Sequence, residues 1–282
     1  MTAADVLVRR RAAATVRTMV LVALALLFLA PLLWMLSTSF KTQLDAASST
    51  SLVPSPATLE NYEPLTAWDG KTPVVRWFLN SVVTATVTTA LVVSTAALAA
   101  YALARFTFRG RGVVFMMVVA TLFLPGFVFL IPNYLIANSL GILDTLVALM
   151  LPPVGGAFGV FFLRQFFLGL PRELEEAARI DGASDVRIFR SVMLPLAQPA
   201  LSTIAVITFL ASWNDFLWPV YALTTTSTLT LPAGLPLLQS AYIANQPLIM
   251  AGAVIASVPA LAVFVLFQRK IIESVATAGL KG

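Results

Sequence analysis

The stretch LPRELEEAARIDGASDVRIFRSVMLP, residues 170–195, is the one substantial charge-dense segment in an otherwise apolar chain. Its acidic residues cluster where the positive end of a helix dipole favours negative charge, and Gly182 predicts where that helix ends. Ser184 predicts the N-cap of a second short helix, which runs to Leu194 and is ended by Pro195. The stretch therefore predicts two short helices joined by a glycine hinge, lying on a membrane protein rather than crossing the bilayer.

The first of these helices, predicted at Pro171–Asp181, is amphipathic. A proline is tolerated at its first position because the N–H there has no helical partner. Its apolar face, spaced at i, i+4, i+7 and i+8, consists of Leu170, Leu174, Ala177 and Ala178. Its polar face consists of Arg172, Glu175, Glu176 and Arg179. Glu175 and Arg179 lie four residues apart, so we expect them to form an ion pair on an exposed surface.

Composition excludes most soluble and enzymatic classes. Of the 282 residues 59% are hydrophobic and only 11% are charged, and the mean hydropathy of +0.90 is typical of a polytopic membrane protein. The chain has no cysteine and no histidine, which removes disulfide scaffolds, thiol nucleophiles, the usual zinc sites and imidazole chemistry. It also has no Gly-rich loop with a lysine for nucleotide phosphates, so we do not expect it to hydrolyse ATP.

Hydropathy predicts a single all-α membrane domain of residues 1–282 with six transmembrane helices. A bilayer requires about 20 apolar residues per helix. The predicted spans are at about residues 19–36, 77–104, 113–131, 145–163, 200–222 and 250–267. We interpret the first span as an anchored helix rather than a cleaved signal peptide, because its apolar run is long enough to cross the bilayer.

The distribution of basic residues predicts the orientation of these spans. Fifteen of the eighteen Lys and Arg residues lie in the N-terminal segment, in 105–111, in 164–190 and in the tail from 269. Positively charged loops stay on the cytoplasmic side. Both termini and the 170–195 loop are therefore predicted to be cytoplasmic. The basic balance reflects topology, so we expect no nucleic-acid partner.

Several spans carry residues that interrupt or modify a regular helix. Pro125-Gly126, Pro152-Pro153 and Gly155-Gly156 predict broken helices, which are tolerated at membrane depth where they face protein or a wet cavity. The second span is rich in hydroxyl side chains, namely Ser81, Thr84, Thr86, Thr88, Thr89, Ser94 and Thr95. Such residues either let helices pack closely or line a polar pathway, and packing is the favoured interpretation.

The fifth predicted span contains the string SWNDFLWP at residues 212–219. Asp215 is the one ionisable residue predicted well inside a span, where a carboxylate usually faces a bundle interior or a wet cavity. Trp213 and Trp218 flank it, and aromatic faces beside amide and carboxylate groups suit carbohydrate binding. Two structural interpretations stay open, an interfacial aromatic belt for the tryptophans and a structural hydrogen bond for Asp215.

Four features of this sequence resemble bacterial ABC importer permeases. Glu176-Ala177-Ala178 with a glycine six residues after the glutamate and Leu194-Pro195 downstream resembles the family's EAA loop. The string at 212–219 resembles the fifth-span signature of carbohydrate importers, and the tail at 277–282 resembles the terminus of maltose-system permeases. A weaker similarity lies in the external segment 38–76, with its prolines followed by Asn61-Tyr62.

The resemblance implies a transmembrane permease subunit of a binding-protein-dependent sugar importer, with the ABC importer permease fold and no catalytic residues. It implies ATPase coupling through Glu176, Ala177, Ala178, Asp181, Gly182, Ala183, Leu194 and Pro195. It implies a substrate pathway near Trp213, Asn214, Asp215 and Trp218. The implied location is the bacterial plasma (inner) membrane, crossed several times.

The implied partners are a second homologous permease, two ATP-binding cassette subunits and an extracytoplasmic sugar-binding protein. ATP and Mg²⁺ would be bound by the ATPases, and no cofactor by this chain. The external loop 223–249 would reach toward the binding protein, and the tail would contact the ATPases.

Two other classes remain to be weighed against the importer. An ion-coupled secondary sugar carrier would use intramembrane acids as ion sites, for which Asp215 is the one candidate, but it does not explain the spacing in 170–195. A membrane enzyme acting on lipid or glycan lacks a convincing acid–base pair.

Overall fold

The computed structural model describes residues 3–242 and 245–279, with side chains described for 14–242 and 245–268. Within these ranges the chain is helical and has no strand, which confirms the all-α prediction. The helices are α1 (Ala3–Ser39), α2 (Gln43–Ser48), α3 (Val74–Arg105), α4 (Arg111–Thr121), α5 (Leu130–Ser139), α6 (Leu146–Met150), α7 (Ala157–Leu168), α8 (Glu173–Ile180), α9 (Asp185–Ile188), α10 (Leu194–Leu196), α11 (Gln198–Trp213), α12 (Leu217–Ala222), α13 (Leu231–Ala241) and α14 (Gln246–Gly279). The last three residues of the predicted tail motif lie outside the described residues.

Among the described residues, three helices are long and apolar enough to cross a membrane unbroken, and three bent pairs of helices meet the same length and composition criteria as pairs, each as a broken span or a re-entrant loop. The unbroken spans belong to α1, α3 and α14. The bent pairs are Arg111–Thr121 with Gly126–Ser139 at 101°, Leu146–Gly155 with Ala157–Leu168 at 43°, and Asp185–Leu196 with Gln198–Trp213 at 75°. Counting each pair as one span gives the predicted number of six.

The bends in the third and fourth spans occur at the predicted prolines and glycines. A 3₁₀ turn at Gly126–Phe129 follows Pro125, and another at Pro152–Gly155 separates α6 from α7. Proline removes a backbone donor and clashes with the preceding turn, which favours a break in the helix at these positions.

The fifth span differs from the prediction of one helix over 200–222. Here α11 begins at Gln198 and ends at Trp213, and α12 starts only at Leu217. The Asn214 side chain donates a 2.8 Å hydrogen bond to the Leu210 carbonyl at the end of α11. Short polar side chains that bond the backbone in this way compete with helix continuation, and the break follows.

Residues 1–67 and 238–255 form one compact unit. In it, the Asn61 side chain donates to the carbonyls of Ser39 and Lys41 at 2.9 and 2.8 Å, which satisfies acceptors beyond the end of α1. Tyr62 shares a 2.7 Å hydrogen bond with the Ser39 hydroxyl. The buried Lys41 ammonium donates to the carbonyl of Ser49, the C-cap residue of α2. The Asn-Tyr pair thus ties the segment that follows α1 to the end of that helix.

Residues 68–237 and 256–282 form the second compact unit. Helix α3 packs against α7 and α11 along a stripe of small residues. A Cβ atom added at Gly159 of α7 would lie 3.0 Å from the Cβ of Ala96, so the two backbones approach as closely as small-residue helix interfaces allow. The buried core of this unit is Ala96, Ala97, Ala100, Tyr101, Ala104, Leu163, Phe167, Ile188, Phe189, Met193, Ala197, Ala200 and Ile204. The prediction that residues 1–282 make a single domain stays a prediction.

Candidate functional site

An ion pair anchors α8 to the C-terminal end of α3. The Nε atom of Arg105 lies 2.6 Å from Oε1 of Glu175, and only 4% and 6% of these side chains are exposed. The N–H does not point along this line, so the contact is a pairing of charges rather than an aligned hydrogen bond. Tyr101 donates a 3.4 Å hydrogen bond to the other Glu175 oxygen, and Arg105 donates a 2.8 Å bond to the Leu170 carbonyl. Residues about 70 positions apart thus fix the start of α8.

This anchor corrects the predicted orientation of the helix. Glu175 was expected on the exposed face with Arg179 as its partner, yet it is buried against Arg105. Arg179 instead forms a 3.0 Å salt bridge with Asp185, and both side chains are about half exposed. The pattern of one helix cannot identify a charged partner contributed by another, so the buried glutamate was assigned to the solvent side.

The exposed face of α8 is apolar at its centre and acidic at its edges. Leu174 is 42% exposed, Ile180 is 87% exposed, and Ala177 between them is also exposed. Glu176 and Asp181 lie beside them on the same exposed surface. Leu174 and Ala177 belong to the predicted apolar face, and the structure leaves both exposed, whereas Ala178 of the same face is half-buried. Within the described residues this patch is uncovered, and it has the composition of a surface that docks on another protein.

The end of α8 is a Schellman motif centred on Gly182. The Gly182 N–H bonds the Arg179 carbonyl at 3.0 Å, and the Ala183 N–H bonds the Ala178 carbonyl at 2.9 Å. Gly182 has a φ of +80°, which an L side chain adopts only with strain. The predicted hinge is therefore a well-defined turn. Ala178 and Ala183 pack inward against the core of the unit.

The second predicted helix begins where expected but does not end at Pro195. Ser184 is the N-cap of α9 by its backbone conformation, without a side-chain capping bond. A π-helical turn at Phe189–Met193 then leads into α10, so the helical run passes through Pro195 and ends at Leu196. A π turn shifts the hydrogen-bond pattern, which accommodates a residue that has no N–H to donate. Leu194 is half-buried and Pro195 is exposed.

The tryptophans of the fifth-span string are held by packing and hydrogen bonds within the chain. Trp213 is 2% exposed; its ring meets Phe78 edge-on and stacks on Phe209, while its indole N–H donates to the Ala256 carbonyl. The indole N–H of Trp218 donates to the Ala148 carbonyl at 2.9 Å. Trp213 therefore lies in the packed interior of the unit rather than in an interfacial aromatic belt.

The polar members of the string lie at the break between α11 and α12. Asn214 is exposed, and Asp215 is half-buried with one oxygen 3.4 Å from the Trp218 amide. Asp215 also lines a cavity of about 180 Å³ together with threonine side chains from α3. The sequence placed Asp215 inside a span, but the convergence of α3 on it was not predicted. In the residues that the structure describes, no cluster of three or more metal-ligating side chains occurs.

Asp144 accepts a cluster of hydrogen bonds that the sequence analysis did not predict. Its carboxylate accepts hydrogen bonds from the backbone N–H groups of Thr224 and Thr225 and from the hydroxyls of Thr225 and Thr228. Partial desolvation alone would raise the pKa of Asp144, but these donors outweigh it and hold the pKa well below its usual range. The segment after α12 is thereby fixed to the loop before α6. In the sequence, an aspartate in a loop near Gly141 indicates only a turn, so the role of Asp144 could not be predicted.

A family model described as the inner membrane component of binding-protein-dependent transport systems matches residues 93–276. The arabinooligosaccharides transport system permease protein AraQ of Bacillus subtilis is 33% identical over 268 residues, covering 94% of this chain and 95% of that protein. The diacetylchitobiose uptake system permease protein NgcG of Streptomyces coelicolor is 37% identical and covers 89% of this chain and 83% of its own. The galactooligosaccharides transport system permease protein GanQ of Bacillus subtilis is 30% identical, covering 99% of both chains.

The fold also matches a solved structure. A chain of a bacterial ABC transporter involved in the import of the acidic polysaccharide alginate superposes with a TM-score of 0.80, at 23% identity, covering 95% of this chain and 98% of that chain. The fold match supports the predicted permease architecture. The family model and the relatives that align over most of this chain both identify a permease of this kind. They confirm the resemblance that the EAA spacing indicated. This chain belongs to the family of binding-protein-dependent transport system inner membrane components, the non-catalytic permease subunits of ABC importers.

Proposed function

We propose that this chain forms half of the translocation pathway of an importer for neutral oligosaccharides. Helix α8 would contact the ATPase subunit, whose conformational change on ATP hydrolysis would move α8. The exposed patch Leu174, Ala177 and Ile180, with Glu176 beside it, is the observation that carries the proposal. An apolar helix face with a small residue at its centre suits a groove on a partner. The relatives named for arabinooligosaccharides, galactooligosaccharides and diacetylchitobiose support the substrate class.

Docking on α8 would use the residues of the EAA motif in two ways. Glu176 and Asp181 are exposed and can pair with basic groups of an ATPase, while Ala177 allows close approach of the backbones. Ala178 and Ala183 pack inward, so they would support the docking helix rather than contact the partner. Gly182 supplies the turn after it.

The buried anchor would make α8 move together with the helices that it contacts. Displacing α8 while Arg105 stays in place would separate two buried charges, which is strongly unfavourable. Ile188, Phe189 and Met193 of the second helical run are buried against α3 and α7, and Ala197 leads directly into α11. A displacement at α8 would therefore reach the break at Asn214 and Asp215, where we place this chain's contribution to the pathway. Such a rigid connection can shift an inward- and outward-facing equilibrium.

The complete importer would contain this chain, a second permease, two ATP-binding cassette subunits and an external sugar-binding protein. ATP and Mg²⁺ would be bound by the ATPases, since this chain carries no phosphate-binding glycine loop. Both termini and α8 would be cytoplasmic, following the positive charge of their segments.

The proposal is tested by purifying the tagged chain in mild detergent and identifying what co-purifies, followed by ATP-dependent uptake of labelled oligosaccharides by the reconstituted complex. Glu176→Lys is expected to abolish uptake and ATPase recovery while the chain remains inserted. Glu173→Lys, the same change at another exposed glutamate of the helix, serves as control. Recovery of the chain without an ATPase, or normal uptake by Glu176→Lys, would contradict the coupling role.

A further inference from the structure

A cavity of about 180 Å³ lies where α3, α11 and α12 converge at the break in the fifth span. Its polar lining consists of Thr84, Thr88, Thr208, Ser212, Asp215 and Thr230. No basic side chain lines it, and its other lining residues are apolar. The lining surface is mostly apolar, and the residues that contribute polar groups to it carry hydroxyls and one carboxylate.

Three of these hydroxyls are buried without a hydrogen-bond partner among the described residues. They belong to Thr84, Thr88 and Thr230, which are 3%, 0% and 4% exposed. Thr84 and Thr88 lie one helical turn apart on α3, so their side chains lie on the same face of the helix. A buried hydroxyl without a partner is unfavourable, and most such groups are satisfied by protein, water or ligand.

Two other threonines of α3 have hydrogen-bonded hydroxyls, so the missing bonds of Thr84 and Thr88 are not a general property of the helix. The hydroxyl of Thr89 donates to the Ala85 carbonyl at 2.6 Å, and that of Thr95 donates to the Leu91 carbonyl at 2.8 Å. These are the bonds that a threonine ordinarily makes to its own helix. Thr84 and Thr88 forgo them, and both line the cavity. Helix packing, the favoured sequence interpretation, explains the burial of these two residues but not their missing hydrogen bonds.

The lining matches the hydrogen-bonding capacity of a sugar. A carboxylate accepts, a threonine hydroxyl both donates and accepts, and sugar hydroxyls do both. The absence of a basic lining residue disfavours an anionic ligand, and the volume holds part of one sugar ring or several water molecules. We propose that Thr84, Thr88, Thr230 and Asp215 form a hydroxyl-binding subsite through which this chain itself contacts the transported sugar. The inference rests on the proposed importer function and assigns part of the substrate contact to this subunit.

The first test measures transport by the complete reconstituted complex. The probes are arabinooligosaccharides, galactooligosaccharides, diacetylchitobiose and lactose, and the sugar that the wild type transports fastest is used. The isosteric double variant Thr84→Val/Thr88→Val is expected to lower the maximal rate about threefold to tenfold, the effect of losing hydrogen bonds to the ligand. The apparent KM for sugar-loaded binding protein should change less than twofold, because docking occurs elsewhere. Thr89→Val is the matched control.

The second test separates sugar from water, using the fact that the chain has no native cysteine. A water-soluble methanethiosulfonate reagent is expected to label Thr88→Cys during turnover, and the transported sugar should slow that labelling. Thr89→Cys is the control. Labelling that no sugar changes, or valine variants that transport like Thr89→Val, would overturn the subsite and leave a cavity that holds water only. A wild-type complex without ATP-dependent uptake would instead refute the importer function together with this inference.

Discussion

At the scale of single residues, the buried pair Arg105–Glu175 is the contact with the largest expected effect on stability. Glu175→Gln leaves a buried guanidinium without its charge partner, and breaking such pairs costs about 3–5 kcal/mol. We therefore expect a clearly lower thermal denaturation midpoint for the purified complex. Glu173→Gln, an exposed change in the same helical turn, should leave the midpoint unchanged.

The double variant Arg105→Met/Glu175→Leu distinguishes a paired charge from simple packing. Replacing both partners by apolar side chains removes the uncompensated charge, so the double variant should be more stable than either single variant. If the destabilising effects of the two single changes simply added, the two groups would not be energetically coupled and the anchor would have to be abandoned.

At the scale of the element, α8 and its glycine turn form a unit whose geometry depends on one backbone conformation. Gly182 has a φ of +80° and a Cβ there would meet no atom within 4 Å, so a substitution is penalised by the backbone alone. A non-glycine residue in this region costs about 1–2 kcal/mol, least for asparagine. We expect Gly182→Asn to retain most uptake and Gly182→Val to lose more.

Gly182→Pro should abolish uptake, because proline cannot adopt a positive φ and removes the N–H that bonds the Arg179 carbonyl. We expect uptake, normalised to the amount of inserted protein, to decrease from the Asn variant to the Val variant to the Pro variant. Equal uptake by all three variants would show that the turn geometry is irrelevant to coupling.

At the scale of the whole molecule, the proposed orientation in the membrane is open to a direct test. Ala57 lies in the external segment and Thr107 in the loop between α3 and α4, and both are exposed. Because the chain has no native cysteine, Ala57→Cys and Thr107→Cys each supply a unique thiol. A membrane-impermeant maleimide added to intact cells should label the first, and the second only after permeabilisation. The reverse pattern would invert the proposed topology.

Much of the architecture could be predicted because its signals are local. The length of apolar runs determined six spans, the prolines determined the bends at 125 and 152–153, and Gly182 determined the end of α8. Caps, breakers and hydropathy act over a few residues, so a sequence states them directly. The EAA spacing and the fifth-span string are likewise properties of the sequence alone, and they indicated the family.

Only the tertiary structure decided which side chains meet. In the structure, Glu175 is buried against Arg105 and Trp213 lies in the core. The second helical run continues past Pro195 after a π turn. The fold also brings Thr84 and Thr88 of α3 to Asp215, more than 120 positions away. Hydrophobic periodicity predicts that a helix has a buried face but not what the neighbouring helix presents to it. A polar residue acquires its role from a partner on another element, and that partner is determined by packing.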